Sequence, residues 1–189
     1  MIEQLKTEFP DRMIVAVDTL AASAGEGLIV YRALLEQAKG LSLNEVAAKV
    51  ELEFIKETML WFTVDDLKHL QRTGRLSNGA AWLGYVLKIK PVLHCDDQGK
   101  LVPVFKCTGR KSALKKLASL YSETSAEQKQ KCKTVFISHS SALEDAVSVK
   151  EAILADNPDA DVYLSDIGPV VGSHTGVGAI ALFFTGDQR

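Results

Sequence analysis

Apolar and polar positions change period several times along the chain, short β-rich runs giving way to stretches of helical spacing. The first run, Met13 to Val17, ends at Asp18 and leads into a small-residue loop from Ala21 to Gly27, the pattern of a strand followed by a loop and a helix. Leu28, Tyr31, Leu34, Leu35 and Ala38 then recur at helical spacing, with Gly40 as the stop. Ser42 and Glu45 form a capping-box pair that opens a second helix through Val46, Val50 and Ile55. Met59 to Val64 reads as a strand, Asp65 to Arg72 as a short helix, and Gly74 as its stop.

Beyond this point two β-rich runs, Leu87 to Cys95 and Lys100 to Lys106, flank Asp96-Asp97-Gln98-Gly99, a hairpin signature. A helix with Ala113, Leu114, Leu117, Leu120 and Tyr121 on one side follows, then a strand from Thr134 to Ser138. Ser141 with Glu144 is expected to cap a helix through Val147, Ala152 and Ile153, and strands at Val162 to Ser165 and Ile180 to Phe184 complete the series. This order predicts an α/β or α+β chain with at least one hairpin. The stretch from Arg72 to Gly84 is the candidate boundary between two lobes, and no internal repeat is visible.

Composition narrows the class. The 189 residues are 47% hydrophobic and 24% charged, enough apolar material for a core and too much for a disordered chain. The run from Val177 to Thr185 is about half of what a membrane-spanning helix requires, so no membrane insertion is expected. The N-terminus lacks the apolar stretch of a secretory signal, and Cys95, Cys107 and Cys132 are odd in number and widely spaced; a cytoplasmic setting is expected. The net charge of −2 conceals asymmetry: Lys100 to Lys133 carries nine Lys/Arg against Glu123 and Glu127. Such a segment is either a solvated helix face or a docking surface for an acidic partner.

Candidate chemistry concentrates at Gly172-Ser-His174-Thr175-Gly176-Val-Gly178. Glycines allow amides to converge on an anion and the His-Thr pair adds donors, which describes a carboxylate or phosphate site; a tight turn around a buried, satisfied histidine fits the same spacing. Arg72-Thr-Gly-Arg75-Leu-Ser77 lies at a helix end, where two arginines either grip one anion or complement the helix dipole. Asp18-Thr19 and Ser23-Ala-Gly25-Glu-Gly27 follow a strand end, without the third glycine of a dinucleotide fingerprint. No metal-type spacing, Walker A sequence or aromatic interleaving of a nucleic-acid module is present, and His94 and Cys95 alternate across a strand rather than face each other.

Taken in order, Val17-Asp18-Thr19, Ser23 to Gly27, Arg72 to Ser77, Ile89-Lys90-Pro91, Lys106 to Ala113 and Gly172 to Gly178 resemble the DegV family of bacterial fatty-acid-binding proteins. The resemblance implies a two-lobed α/β architecture: a first lobe with a truncated, mainly parallel α/β sheet, and an α+β second lobe with a hairpin. The expected division is 1–71 and 72–189, the last segment packing back at the interdomain site. It also implies a long-chain fatty acid held between domains and presented to a separate fatty acid kinase, with no cofactor and no catalysis.

Carried over by position, His174, Thr175, Gly176, Arg72 and Ser23 belong to the carboxylate end, while Arg75, Arg110 and Lys111 face the partner. Departures from the family pattern are Thr19 for Ser, Val177 for Pro, and Cys107-Thr108 where an Arg commonly precedes the Gly. The family's earlier Asp-Ser-Thr and Ser-Gly-Thr motifs have no counterpart here, so only the second half of the binding site is expected. Three readings follow: a fatty-acid carrier, a truncated interaction module of the same descent that self-associates through an exposed domain interface, and an enzyme using His174 as acid or base beside Asp18 or an arginine.

Overall fold

The computed structural model describes residues 2–76 and 89–187. Ser77, Leu87, Lys88 and most of the candidate boundary segment lie outside the described residues. A six-stranded sheet, ordered β3-β2-β1-β6-β4-β5, forms the centre. Its strands are β1 (Thr58–Thr63), β2 (Ile89–Cys95), β3 (Leu101–Thr108), β4 (Thr134–His139), β5 (Asp161–Asp166) and β6 (Ile180–Thr185). Among these strands β4 and β5 run parallel, and the other neighbours are antiparallel. The chain is thus α/β with the expected hairpin, β2 and β3. Strand β1 precedes Arg72 yet is hydrogen-bonded between β2 and β6, so the sheet runs continuously across the expected division at 1–71 and 72–189.

Side-chain alternation sends successive strand residues into two different cores. On one face, helices α6 (Arg110–Ser122) and α8 (Leu143–Asp156) pack Leu117, Tyr121, Val149 and Ile153 against Val92, Val135, Ile137, Ile180 and Leu182. Full burial of each large apolar side chain contributes about 1.5–3 kcal/mol. On the other face, Leu28 of α2 (Ala24–Ala38) and Leu70 of α5 (Leu67–Arg72) meet Leu60, Phe62, Leu93, Ala181 and Phe183. None of the helices among the described residues is long and apolar enough to cross a membrane.

Helix α2 packs with a mixed face. Leu28 and Ile29 are buried, whereas Tyr31, Leu34 and Leu35, expected to share the core face with Leu28, stand exposed. Arg32 and Glu36 are buried in their place. Arg32 donates to Glu57 at 2.6 Å and lies 3.9 Å over the Phe54 ring, and Lys131 also donates to Glu57. Glu36 receives Lys39 at 2.7 Å and Lys49 at 3.0 Å. These ion pairs fasten α2 to α3 (Leu43–Lys49), to the π-helical turn Val50–Phe54 and to α4 (Ile55–Glu57). The Ser42–Glu45 capping box forms as the sequence predicts.

Three expectations change. Met13 to Val17 is not a strand: the segment has no ladder partner among the described residues, and Met13 is 66% exposed. Strand-like composition requires a neighbour to take up its backbone hydrogen bonds. Ser141 does not cap α8; it adopts φ 50°, and α8 starts after Ala142 without a side-chain cap. Finally, the glycine-rich segment before β6 folds as helix α9 (Pro169–Thr175), because Pro169 presets its first turn and Gly172 continues the ladder to Gly168 and Gly176. Helices α1 (Ile2–Glu8) and α7 (Ala126–Lys131) were not legible either, since both are short, polar and without buried residues.

Gly25 tests the packing of α2 on the sheet. A Cβ at that position would lie 2.8 Å from both Leu60 Cδ2 and Phe183 Cδ1. Gly25→Ala is therefore expected to destabilise the fold by about 1–3 kcal/mol despite alanine's better helix propensity, read from a urea titration; an unchanged midpoint would refute this packing.

The ion pairs predict acid sensitivity. Burial opposes ionisation of Glu57, but its hydrogen bonds from Lys131 and Arg32 prevail and hold the carboxyl below its ordinary value near 4.5. A depressed carboxyl stabilises the fold above the unfolded-state value, and that contribution is lost as pH falls through the folded one. Glu57→Gln is thus expected to be about 3 kcal/mol less stable than wild type at neutral pH, the deficit narrowing toward pH ~3. Thermal melts of both proteins from pH ~7 to ~3 would show it, and parallel curves would exclude it.

Candidate functional site

Strand β6 places Ile180, Leu182 and Phe184 toward α6 and α8, whereas the α2 side receives Phe183 and two small residues, Ala181 and, just before the strand, Ala179. The missing side-chain volume opens a cavity of about 440 Å³. Its floor is Leu60, Phe62, Ala179, Ala181 and Phe183; its walls are the Asp18 to Ser23 loop, the end of α5, helix α9 and the turn between β2 and β3. Leu20, Ala21, Leu70, Leu101, Ile167 and Val171 make these walls mainly apolar. The volume lies within the ordinary range for small-molecule pockets.

Polar side chains interrupt that lining at Asp18, Ser23, Arg75, Gln98, His174 and Thr175. Helix α9 brings in His174 and Thr175, and Gly176 ends it at φ 76°. The ring of His69 leaves little room there: a Cβ on Gly176 would sit 3.3 Å from His69 Cγ. His69 Nε2 also contacts the Ser173 carbonyl at 2.7 Å, tying α5 to α9. His174 Nδ1 is buried without a hydrogen-bond partner among the described residues, so the satisfied-histidine alternative does not describe it. Thr175 is buried and its hydroxyl donates to the Val171 carbonyl at 3.1 Å. It must rotate before it can donate to a ligand.

The two arginines stand differently toward the cavity. Gly74, at φ 69°, reverses the chain after α5, with Arg75 N donating to the Leu70 carbonyl at 2.9 Å. Both arginines are exposed, but Arg75, whose Nη1 donates to the Thr73 carbonyl at 3.2 Å, stands at the cavity's edge, while Arg72 on the last turn of α5 does not line it. Gly176 shapes the end of α9 and is likewise absent from the lining. Arg110 and Lys111 start α6, which covers the opposite face of the sheet. Arg110 Nε is paired with Asp145 at 2.7 Å, and Lys111 is exposed.

Electrostatically the cavity suits an anion at one group and an apolar body elsewhere. Arg75, His174, Ser23, Thr175 and Gln98 carry donors, whereas the Asp18 carboxylate, which accepts the Leu20 amide at 3.0 Å, repels a negative charge. Among the described residues no cluster of three or more His, Cys, Asp or Glu could hold a metal ion. Sequence reasoning missed the cavity's apolar walls, although the alternation of small and large residues in β6 is their visible signal.

Comparison with known proteins agrees with this architecture. The family profile described as "Uncharacterised protein, DegV family" matches residues 1–187. A DegV domain-containing protein of Clostridium perfringens is 41% identical over 187 residues, covering 99% of this chain and 63% of the relative. The solved fatty-acid-binding DegV family protein of Streptococcus agalactiae superposes with a TM-score of 0.82 at 32% identity, over 99% of this chain and 65% of that one. A DegV family protein from Thermus thermophilus, solved for its fatty acid binding, gives 0.80 at 28% identity, over 98% and 65%. This chain therefore spans a little under two thirds of the length of these relatives. With the match extending over nearly every residue and the sheet superposing on solved members, the chain belongs to the DegV family.

Proposed function

We propose that this chain binds a long-chain fatty acid and acts as a carrier rather than a catalyst. The observation that carries the reading is the cavity in which an apolar floor and walls meet Arg75, His174, Ser23 and Thr175. Moving a carboxylate out of water is costly without charge-assisted donors, and Arg75 with the half-buried His174, whose Nδ1 is unpartnered among the described residues, supplies candidates. An acyl tail contributes about 0.8 kcal/mol for each buried CH₂, so the apolar lining provides affinity and the polar groups provide orientation. Relatives described as fatty-acid-binding support the same ligand class. The proposed recipient is a separate fatty acid kinase, met through the cationic start of α6, where Lys111 is exposed.

A second reading, an interaction module without lipid, is favoured by one observation. Val30, Tyr31, Leu34 and Leu35 form an exposed apolar stripe on α2, and the Met13 to Val17 segment joins no sheet among the described residues. Such surface would support self-association or partner binding.

The two readings separate in one experiment, native mass spectrometry of the purified protein followed by denaturing lipid extraction. A stoichiometric fatty acid is expected from the carrier, and an apo mass in an oligomer from the module. Titration of the delipidated protein with hexadecanoate locates the carboxylate. Arg75→Ala is expected to weaken binding about tenfold or more, and Arg72→Ala to leave it within about twofold; equal effects would remove Arg75 from the proposed site.

A further inference from the structure

Ser23 reaches the cavity from an unusual backbone conformation, φ 58° and ψ −143°, at the start of α2, and its hydroxyl does not cap that helix. It donates instead to Ser138 Oγ on β4, at 3.4 Å. Ser138 is fully buried and shares a hydrogen bond of 2.9 Å with Ser165 Oγ on the parallel neighbour β5, its register partner. Three hydroxyls thus form a chain from the strand ends to the cavity wall. Ser138 stands opposite Ala181 of β6, in a core where an apolar residue would be cheaper to bury. The close seat of Gly25 on Leu60 and Phe183 holds the start of α2 over these strands.

We propose that Ser138 and Ser165 are positioning residues for the ligand's carboxylate, acting through Ser23; this rests on the carrier reading above. Without ligand, Ser23 donates to Ser138 and Ser138 can donate to Ser165. When a carboxylate arrives, each O–H turns about its Cβ–Oγ bond: Ser165 donates to Ser138, Ser138 to Ser23, and Ser23 to the carboxylate. No proton leaves its oxygen. The reversal gives the anion a donor while the buried Ser138 hydroxyl keeps two partners, and aligned hydroxyls polarise one another. The long Ser23–Ser138 separation makes the resting bond weak and easily reversed.

Hexadecanoate and 1-hexadecanol distinguish this from a merely structural role. The alcohol brings its own donor to Ser23 and needs no reversal, whereas the acid does. Ser138→Ala and Ser165→Ala are expected to lower affinity for hexadecanoate about three- to tenfold while affinity for 1-hexadecanol stays within about twofold, and Ser165→Thr should restore the wild-type ratio. Ser165 is exposed, so its variants test the idea even where Ser138→Ala fails to fold. An acid-to-alcohol ratio unchanged in Ser165→Ala, or a parallel loss for both ligands, would overturn the proposal alone. A wild-type protein that binds neither ligand would overturn the carrier reading together with it.

Discussion

Strand β6 is buried along its whole length, and both cores are built on that constraint. A strand covered on two faces must supply apolar side chains in both directions, and here one direction receives three large residues while the other receives Phe183 and two alanines. Ile180, Leu182 and Phe184 fill the space beneath α6 and α8, where Phe184 meets Tyr121 edge to face at 5.4 Å between centroids. Ala179 and Ala181 face α2 and leave the space unfilled. Close packing on one side and a cavity on the other therefore come from one six-residue strand and the alanine before it.

A cavity persists only if the elements around it cannot collapse inward. Helix α2 is held at its start by the contact of Gly25 with the sheet and farther along by the buried Arg32–Glu57 pair and by Glu36, which reaches Lys49 of α3. Helix α9 is held to α5 by His69 against Gly176 and the Ser173 carbonyl. Gly25, Arg32, Glu36 and His69 do not line the cavity themselves, yet they determine where Ser23, His174 and Thr175 stand. Breaking a buried pair such as Arg32–Glu57 leaves an uncompensated charge, so the supports of the cavity are also the costliest places to disturb.

The polar groups of the cavity share a different dependence, on backbone features beside them. Gly74 turns the chain so that Arg75 stands at the cavity's edge, Gly176 ends the helix that carries His174, and the positive φ of Ser23 brings its hydroxyl toward β4. The placement of these polar groups is a property of the turns, while the apolar volume is a property of the strands.

How much was readable without tertiary structure follows from this division. Elements with a strong period, β1, β2, β3, α6, β4, β5 and β6, and the capping box at Ser42 and Glu45, are local patterns and stand where the sequence places them. The family resemblance, carried by ordered motifs, was equally legible. Met13 to Val17 misled because strand composition does not create a neighbouring strand, and α9 was hidden because its glycines read locally as a loop. Which of Arg72 and Arg75 lines the cavity was likewise beyond local reasoning. Three residues apart around Gly74, they differ only in the direction in which the chain leaves α5, which the Leu70–Arg75 hydrogen bond decides. Sequence by itself determined the secondary elements with regular spacing and the class of groups available for an anion; tertiary structure alone decided which of those groups meet, because contacts between residues far apart in the chain depend on strand order and turn direction.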